Sequence, residues 1–193
     1  MGRRRPAHDQ PGRVAHDRGP ASTWIAVAVA GALLLTGAGC STAAAAGPER
    51  AGATPSKAAQ MVCSAEAQKE LADAVGKPTT GAVVPTWTDH VYSCPYVYAD
   101  GRIGLSVKEL SDAAATTAYF SSMQAALGGG APVAGIGQGA FQGADGSMVV
   151  RKDYKVLNID VRGIPAQFGV PPIDRSEAAV RIAITVMGCW TDH

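Results

Sequence analysis

The chain has little with which to perform covalent chemistry. Beyond residue 40 it holds two histidines, His90 and His193, and it contains no Gly-x-Ser-x-Gly, His-Glu-x-x-His or paired Cys-x-x-Cys stretch. The usual frameworks of a serine hydrolase, a zinc peptidase and a structural zinc site are therefore missing. Charge is also scarce: 17% of residues are charged and the formal net charge is +1. Residues 1–39 carry five arginines against two aspartates, leaving twelve Lys/Arg against fourteen Asp/Glu in the remainder. A slightly acidic body gives no electrostatic reason to bind nucleic acid. Finally, no apolar run is long. The best, Trp24 to Leu35 with Thr36-Gly-Ala-Gly39 behind it, totals 16 residues, short of the ~20 needed to cross a bilayer comfortably.

What is present reads first as an address. A basic stretch, Met1 to Arg18, precedes the apolar segment, and small residues then lead to Cys40. Arginines stay on the cytoplasmic side while the apolar segment enters the membrane, and small side chains let a peptidase hold the extended backbone. Ala38-Gly39-Cys40 resembles the lipobox of bacterial lipoproteins, with Gly37 where leucine is usual and Leu35 two places earlier. The resemblance implies cleavage before Cys40, lipidation of that thiol and anchoring at the extracytoplasmic face of the cell membrane. Two or more acyl chains are implied because one gives only marginal binding, at ~0.8 kcal/mol per buried CH₂. An ordinary secretory signal and an uncleaved anchor are the competing readings.

Residues 40–60 lack apolar periodicity, are rich in alanine and contain Pro48 and Pro55. They read as a flexible linker with a root-mean-square span of roughly 25 Å. The exported domain is expected over 61–193, after a signal segment over 1–39.

Within it, Ser64 is placed to cap a helix running to Val75, with Gly76 as its stop. Val91–Ala99 and Arg102–Lys108 flank Asp100-Gly101, a strong hairpin signal, with Ile103, Leu105 and Val107 pointing inward. Ser111 is expected to cap a second helix ended by Gly128-Gly-Gly130. Asp145-Gly146 opens the strand Ser147–Arg151, and a turn at Lys152–Tyr154 returns the chain through Lys155–Arg162. Here Leu157, Ile159 and Val161 alternate with Asn158, Asp160 and Arg162, which predicts one wet face. Asp174-Arg-Ser-Glu177 reads as a capping box opening a last helix closed by Gly188, with Ala179, Ile182, Ala183 and Val186 buried. The order helix, hairpin, helix, hairpin, helix predicts an α+β fold, an antiparallel sheet with helices packed on one face. Ala-Asp-Gly recurs at 99–101 and 144–146, too short a repeat to argue duplication.

With Cys40 lipidated, Cys63, Cys94 and Cys189 allow one disulfide. Cys63–Cys94 is the favoured pair and Cys63–Cys189 the alternative; a zinc site is a poor third for want of histidines and paired cysteines, and three inert buried thiols are the remaining reading.

Cys63 opening a helix that ends Ala74-Val-Gly76, the triplet Cys94-Pro-Tyr96, the stretch Gly135–Phe141, Asp145–Leu157 and the ending Val186-Met-Gly-Cys-Trp190 together resemble the uncharacterised lipoproteins of actinobacteria. The resemblance covers most of 61–190. It implies export, lipidation and an α+β domain, and brings no catalytic residues.

Three functions are weighed. A non-enzymatic surface module binding a ligand or partner is suggested by Trp87, Tyr92, Tyr96 and Tyr98, aromatics with polar handles near one sheet edge; half-buried packing in strands is the stronger account of the aromatics themselves. A structural or regulatory partner of another envelope protein is the alternative. A hydrolase is the third: Asp89-His90 with Ser93 is the only conceivable dyad, and adjacent strand residues point to opposite faces. Gly135-x-Gly137-x-Gly139 precedes no helix and reads as a turn entering a strand, not a nucleotide loop. No cofactor, metal or nucleic-acid partner is expected; membrane lipid is, through Cys40.

Overall fold

The computed structural model describes residues 48–190; the leader, Cys40, the first part of the linker and His193 lie outside the described residues. Among the described residues four helices are α1 (Lys57–Met61), α2 (Ala65–Val75), α3 (Ala113–Ala126) and α4 (Arg175–Cys189). Seven strands form one antiparallel sheet: β1 (Thr86–Thr88), β2 (Val91–Tyr98), β3 (Gly101–Glu109), β4 (Ala131–Pro132), β5 (Gly139–Gln142), β6 (Met148–Lys152) and β7 (Lys155–Asp160). Their order is β1-β2-β3-β7-β6-β5-β4, and a separate two-stranded ribbon pairs β8 (Gln167–Phe168) with β9 (Ile173–Asp174). Among the described residues no helix is long and apolar enough to cross a membrane. The α+β class is as expected.

Local chemistry explains the elements. The Ser64 hydroxyl accepts from the Ala67 N–H at 3.1 Å, satisfying one of the free donors at the start of α2. Gly76 ends that helix at φ +65°, where any Cβ would lie 1.8 Å from the Val170 carbonyl oxygen; only glycine fits. The cap of α3 is Asp112 rather than Ser111. Asp112 Oδ1 accepts from Ala115 N at 2.8 Å while Ser111 donates to Oδ2 at 2.9 Å, and a carboxylate also answers the positive end of the helix. Two expectations at α4 fail. Asp174 makes no capping bond to the helix, because its carboxylate accepts from Gln167 across the β8–β9 ribbon. Gly188 lies inside the last turn, and Trp190 follows the end.

One face of the sheet carries the main core. Ile103, Leu105, Val107, Met148, Val150, Leu157 and Ile159 pack with Leu71 and Val75 of α2 and with Ala179, Ile182, Ala183 and Val186 of α4. The other face is covered over part of its width. Phe141, Val149 and Val156 are buried against Tyr119, Phe120, Met123 and Leu127 of α3. Because successive strand residues alternate faces, Val149 and Val156 oppose Val150 and Leu157. Helices therefore pack on both faces, not on one as expected.

The linker boundary also moves. Residues 49–60 dock on the domain: Ala51 N donates to Leu110 O at 3.1 Å, Ser56 N to Glu109 Oε1 at 3.0 Å, and Lys155 Nζ to Glu49 O at 3.1 Å. Ser56 and Ala59 are buried. A proline- and alanine-rich segment can be ordered once its backbone polar groups find partners on a sheet end. The domain thus begins near Glu49, twelve residues ahead of the predicted start. Cys63 and Cys94 form the favoured disulfide, with a sequence separation of 31, joining the approach to α2 to strand β2.

Candidate functional site

Strand register builds the site. On the second face, Thr86, Ser93, Ser106 and Asn158 stand in one row across β1, β2, β3 and β7, since Thr86 pairs with Ser93, Ser93 with Ser106, and Ser106 with Asn158. Neighbouring strands are ~4.8 Å apart, so the row presents three hydroxyls and an amide at regular steps. The row continues into Val149, where α3 takes over. Two residues along the strands, Pro95, Gly104 and Asp160 form the next row. Gly104 has no side chain, and the sheet there is hollow. Arg102 and Arg162 close that end. Together these side chains line an open groove of about 700 Å³.

Its electrostatics are uneven. Arg162 Nε and one terminal nitrogen donate to the Asp160 carboxylate at 2.9 and 2.7 Å, and Asp145 lies 3.8 Å from Arg162 Nε. The Arg162 hydrogen bond holds the Asp160 carboxyl below the usual carboxylate range, with a smaller contribution from the nearby charge of Arg102. Arg162 is thus committed. Arg102, Ser106 and Asn158 have no side-chain partner among the described residues. Thr86 and Ser93 hydrogen-bond each other at 2.9 Å.

The aromatics singled out in the sequence point the other way. Tyr92, Tyr96 and Tyr98 share their parity with Cys94, whose disulfide lies in the core. Tyr96 and Tyr98 are 0% and 3% exposed, and the Tyr96 phenol donates to Val62 O at 2.6 Å. Burial pushes the Tyr98 phenol up to about 12 and the Tyr96 phenol higher still. Tyr92 is half-buried against the same core, and Trp87 is held by its indole N–H on Ala53 O at 3.1 Å. Tyr96 and Tyr98 are thus packed in the core, while Tyr92 and Trp87 keep partial exposure. What the sequence reading passed over was the opposite parity of the same strand, Ser93 and Pro95. The signal was available: a disulfide at Cys94 assigns the even positions of β2 to the interior.

The conceivable dyad is not assembled. Asp89 and His90 form the tight turn between β1 and β2, at φ +50° and +58°. The His90 ring donates to Gly52 O at 3.1 Å and meets Trp87 edge-on, while Ser93 lies in the groove. Gly137 packs against β6, with Gln138 N on Arg151 O at 2.7 Å, and the glycine loop leads into β5. Cys189 is a free thiol. Its sulfur donates to Glu70 Oε2 at 2.9 Å, and burial, aided by that carboxylate, pushes it up to about 11. A thiol so protonated is a poor nucleophile.

No family model matches the chain, and neither a curated protein nor a solved structure is similar to it.

Proposed function

We propose that the chain is the precursor of a cell-envelope lipoprotein whose domain binds a ligand, without catalysis, in the groove on the uncovered part of the sheet. The observation that carries the reading is the set of polar side chains there: Arg102, Ser106 and Asn158 offer donors and acceptors that make no side-chain hydrogen bond among the described residues. Polar groups carried on a hydrogen-bonded sheet suit recognition, because their backbone is already ordered before the ligand arrives and only rotamers remain to be fixed. The groove holds one carboxylate, already bound to Arg162, and no imidazole, which supports binding over acid–base chemistry.

Address and site fit together. The Cys63–Cys94 disulfide supports a compartment outside the reducing cytoplasm, consistent with cleavage and lipidation at Cys40. Eight residues, 41–48, separate that cysteine from Glu49, a reach of at most ~28 Å. Glu49 docks at the Lys155 end of β7, whereas Arg102, Asp160 and Arg162 lie at the opposite end of β3 and β7. The groove's charged end therefore opens away from the point where the chain leaves for its anchor.

Filling the hollow tests the reading. A Cβ at Gly104 meets only Asp160 Cβ, at 3.5 Å, so Gly104→Leu should fold normally and occupy the groove. The full chain, in detergent, is exposed to envelope glycans, lipids and proteins in turn, with amide shifts as readout. Shifts at Ser93, Ser106 and Asn158 that Gly104→Leu abolishes are expected. Binding that survives the substitution unchanged contradicts the proposal. A protein as the shifting agent favours a role as partner of another envelope protein.

A further inference from the structure

Resting on that reading of the groove, we infer that its ligand is an acidic oligosaccharide: a hydroxyl-rich chain carrying a carboxylate or phosphate, the sugar hydroxyls on the Ser93–Ser106–Asn158 row and the anion at Arg102.

The chemistry of the lining selects this class by elimination. Hydroxyl and amide side chains both donate and accept, as sugar hydroxyls do, and the row supplies three such groups on consecutive strands. An apolar ligand would strand them: each polar group desolvated without a partner costs about 1–3 kcal/mol. A divalent cation needs several oxygen ligands, and the groove offers one carboxylate. A nucleic acid needs a succession of cations along its backbone, and only Arg102 is uncommitted. A protein interface of ordinary kind is enriched in aromatic anchors, and here the aromatics of β2 lie in the core.

The anion follows from the pairing of the arginines. Arg162 is shared between Asp160 and Asp145, so its charge is more than neutralised in place and its donors are engaged. The Arg102 side chain makes no hydrogen bond and no ion pair within 4 Å among the described residues; its charge reaches Asp160 only from farther off, and its fork of donors suits a carboxylate or phosphate. Gly104 separates it from the hydroxyl row, leaving depth for the ligand to settle. The two rows that contain Arg102 and Ser106 are four residues apart on β3, about 13 Å, a span that calls for an extended oligomer and not a single ring.

The test is calorimetric titration of the full chain in detergent micelles with three probes: hexagalacturonate, maltohexaose 1-phosphate and neutral maltohexaose. At least one charged probe should bind tenfold or more tightly than the neutral one, and which of the two does so identifies carboxylate or phosphate as the anion. Arg102→Gln should erase that preference, while Ser106→Ala with Asn158→Ala should weaken binding of every probe that binds. Arg181→Gln, an equal loss of charge on α4, should change nothing and so exposes mere bulk attraction. Equal affinity for charged and neutral probes, or an Arg102→Gln effect no larger than that of Arg181→Gln, overturns the inference. Failure of all three probes also overturns it; if an envelope fraction still binds and Gly104→Leu blocks it, the groove stands and only the ligand class is wrong. Binding that needs Arg102 but ignores Ser106 and Asn158 marks a plain anion site and rejects the oligosaccharide.

Discussion

The second face of the sheet is divided between two treatments. Across β5, β6 and the Lys155 end of β7 it is dry: Phe141, Val149 and Val156 lie beneath α3, and Phe120 meets Phe141 edge-on at 4.9 Å. Across β1, β2 and β3 the same face is wet, carrying Thr86, Ser93, Ser106 and Gly104 with no helix above. The two halves share a backbone and one continuous hydrogen-bonded ladder. They differ only in side chains. The difference teaches that coverage follows composition: where both parities are apolar a helix docks, and where one is polar no helix of the described residues covers the sheet.

The largest effect is expected in the covered half. Phe141→Ala removes a ring that is 1% exposed and should lower stability by ~3–5 kcal/mol, read by urea or thermal unfolding. A loss under ~1 kcal/mol would mean that α3 is a loose cover, and the contrast between halves would collapse. Next comes the disulfide, which braces a strand packed on one face only. Replacing Cys63 and Cys94 by serine should cost ~3–4 kcal/mol by the chain-entropy argument for a loop of about thirty residues. Amide exchange should rise more in β1 and β2 than in β6 and β7. Equal acceleration everywhere would show that the bridge does not serve the open half in particular.

Much of this division was legible in the residues, and part was misread. Arg102–Lys108 alternates cleanly, so Ile103, Leu105 and Val107 were assigned inward and lie there. The doublets Val149-Val150 and Val156-Leu157 break the alternation. Consecutive buried residues require cover on both faces, and that clue to the place of α3 was present but passed over. Tyrosine suits both interiors and interfaces, and for Tyr96 and Tyr98 the packing reading holds; the parity of Cys94 is what decides between the two. The docking of residues 49–60 was not legible at all. Its bonds run from backbone groups to Glu109, Leu110 and Lys155, and nothing in an alanine-rich stretch announces distant partners. Asp89-His90 reads as a loop before a strand and is one; the short strand β1 ahead of it was not legible, because its turn lacks glycine, though Asp and His tolerate positive φ better than most residues. The groove itself comes from register, which pairs Ser93 with Ser106 and Ser106 with Asn158, and register needs the assembled sheet.

The smallest effect belongs to the Asp160–Arg162 pair. With its carboxyl held below the usual range by the Arg162 hydrogen bond, Asp160 contributes stability above its unfolded-state value and loses it as pH falls through the folded one. Its carboxyl titration, followed by NMR, should run below that of a free aspartate. Arg162→Gln should move it upward with little change in unfolding, since the pair is largely solvated. An unmoved titration would detach the guanidinium from the carboxylate and reopen the question of which arginine is spare.

The central claim is that the open half stays polar for a ligand and not for the fold. Ser106→Val with Asn158→Leu, two changes toward better strand formers, isolates it. Melting of the double variant, with and without the bound envelope ligand, should show a midpoint equal to or above that of the natural chain, and no further rise when ligand is added. A midpoint several degrees lower, or a ligand-induced rise that persists, contradicts the account.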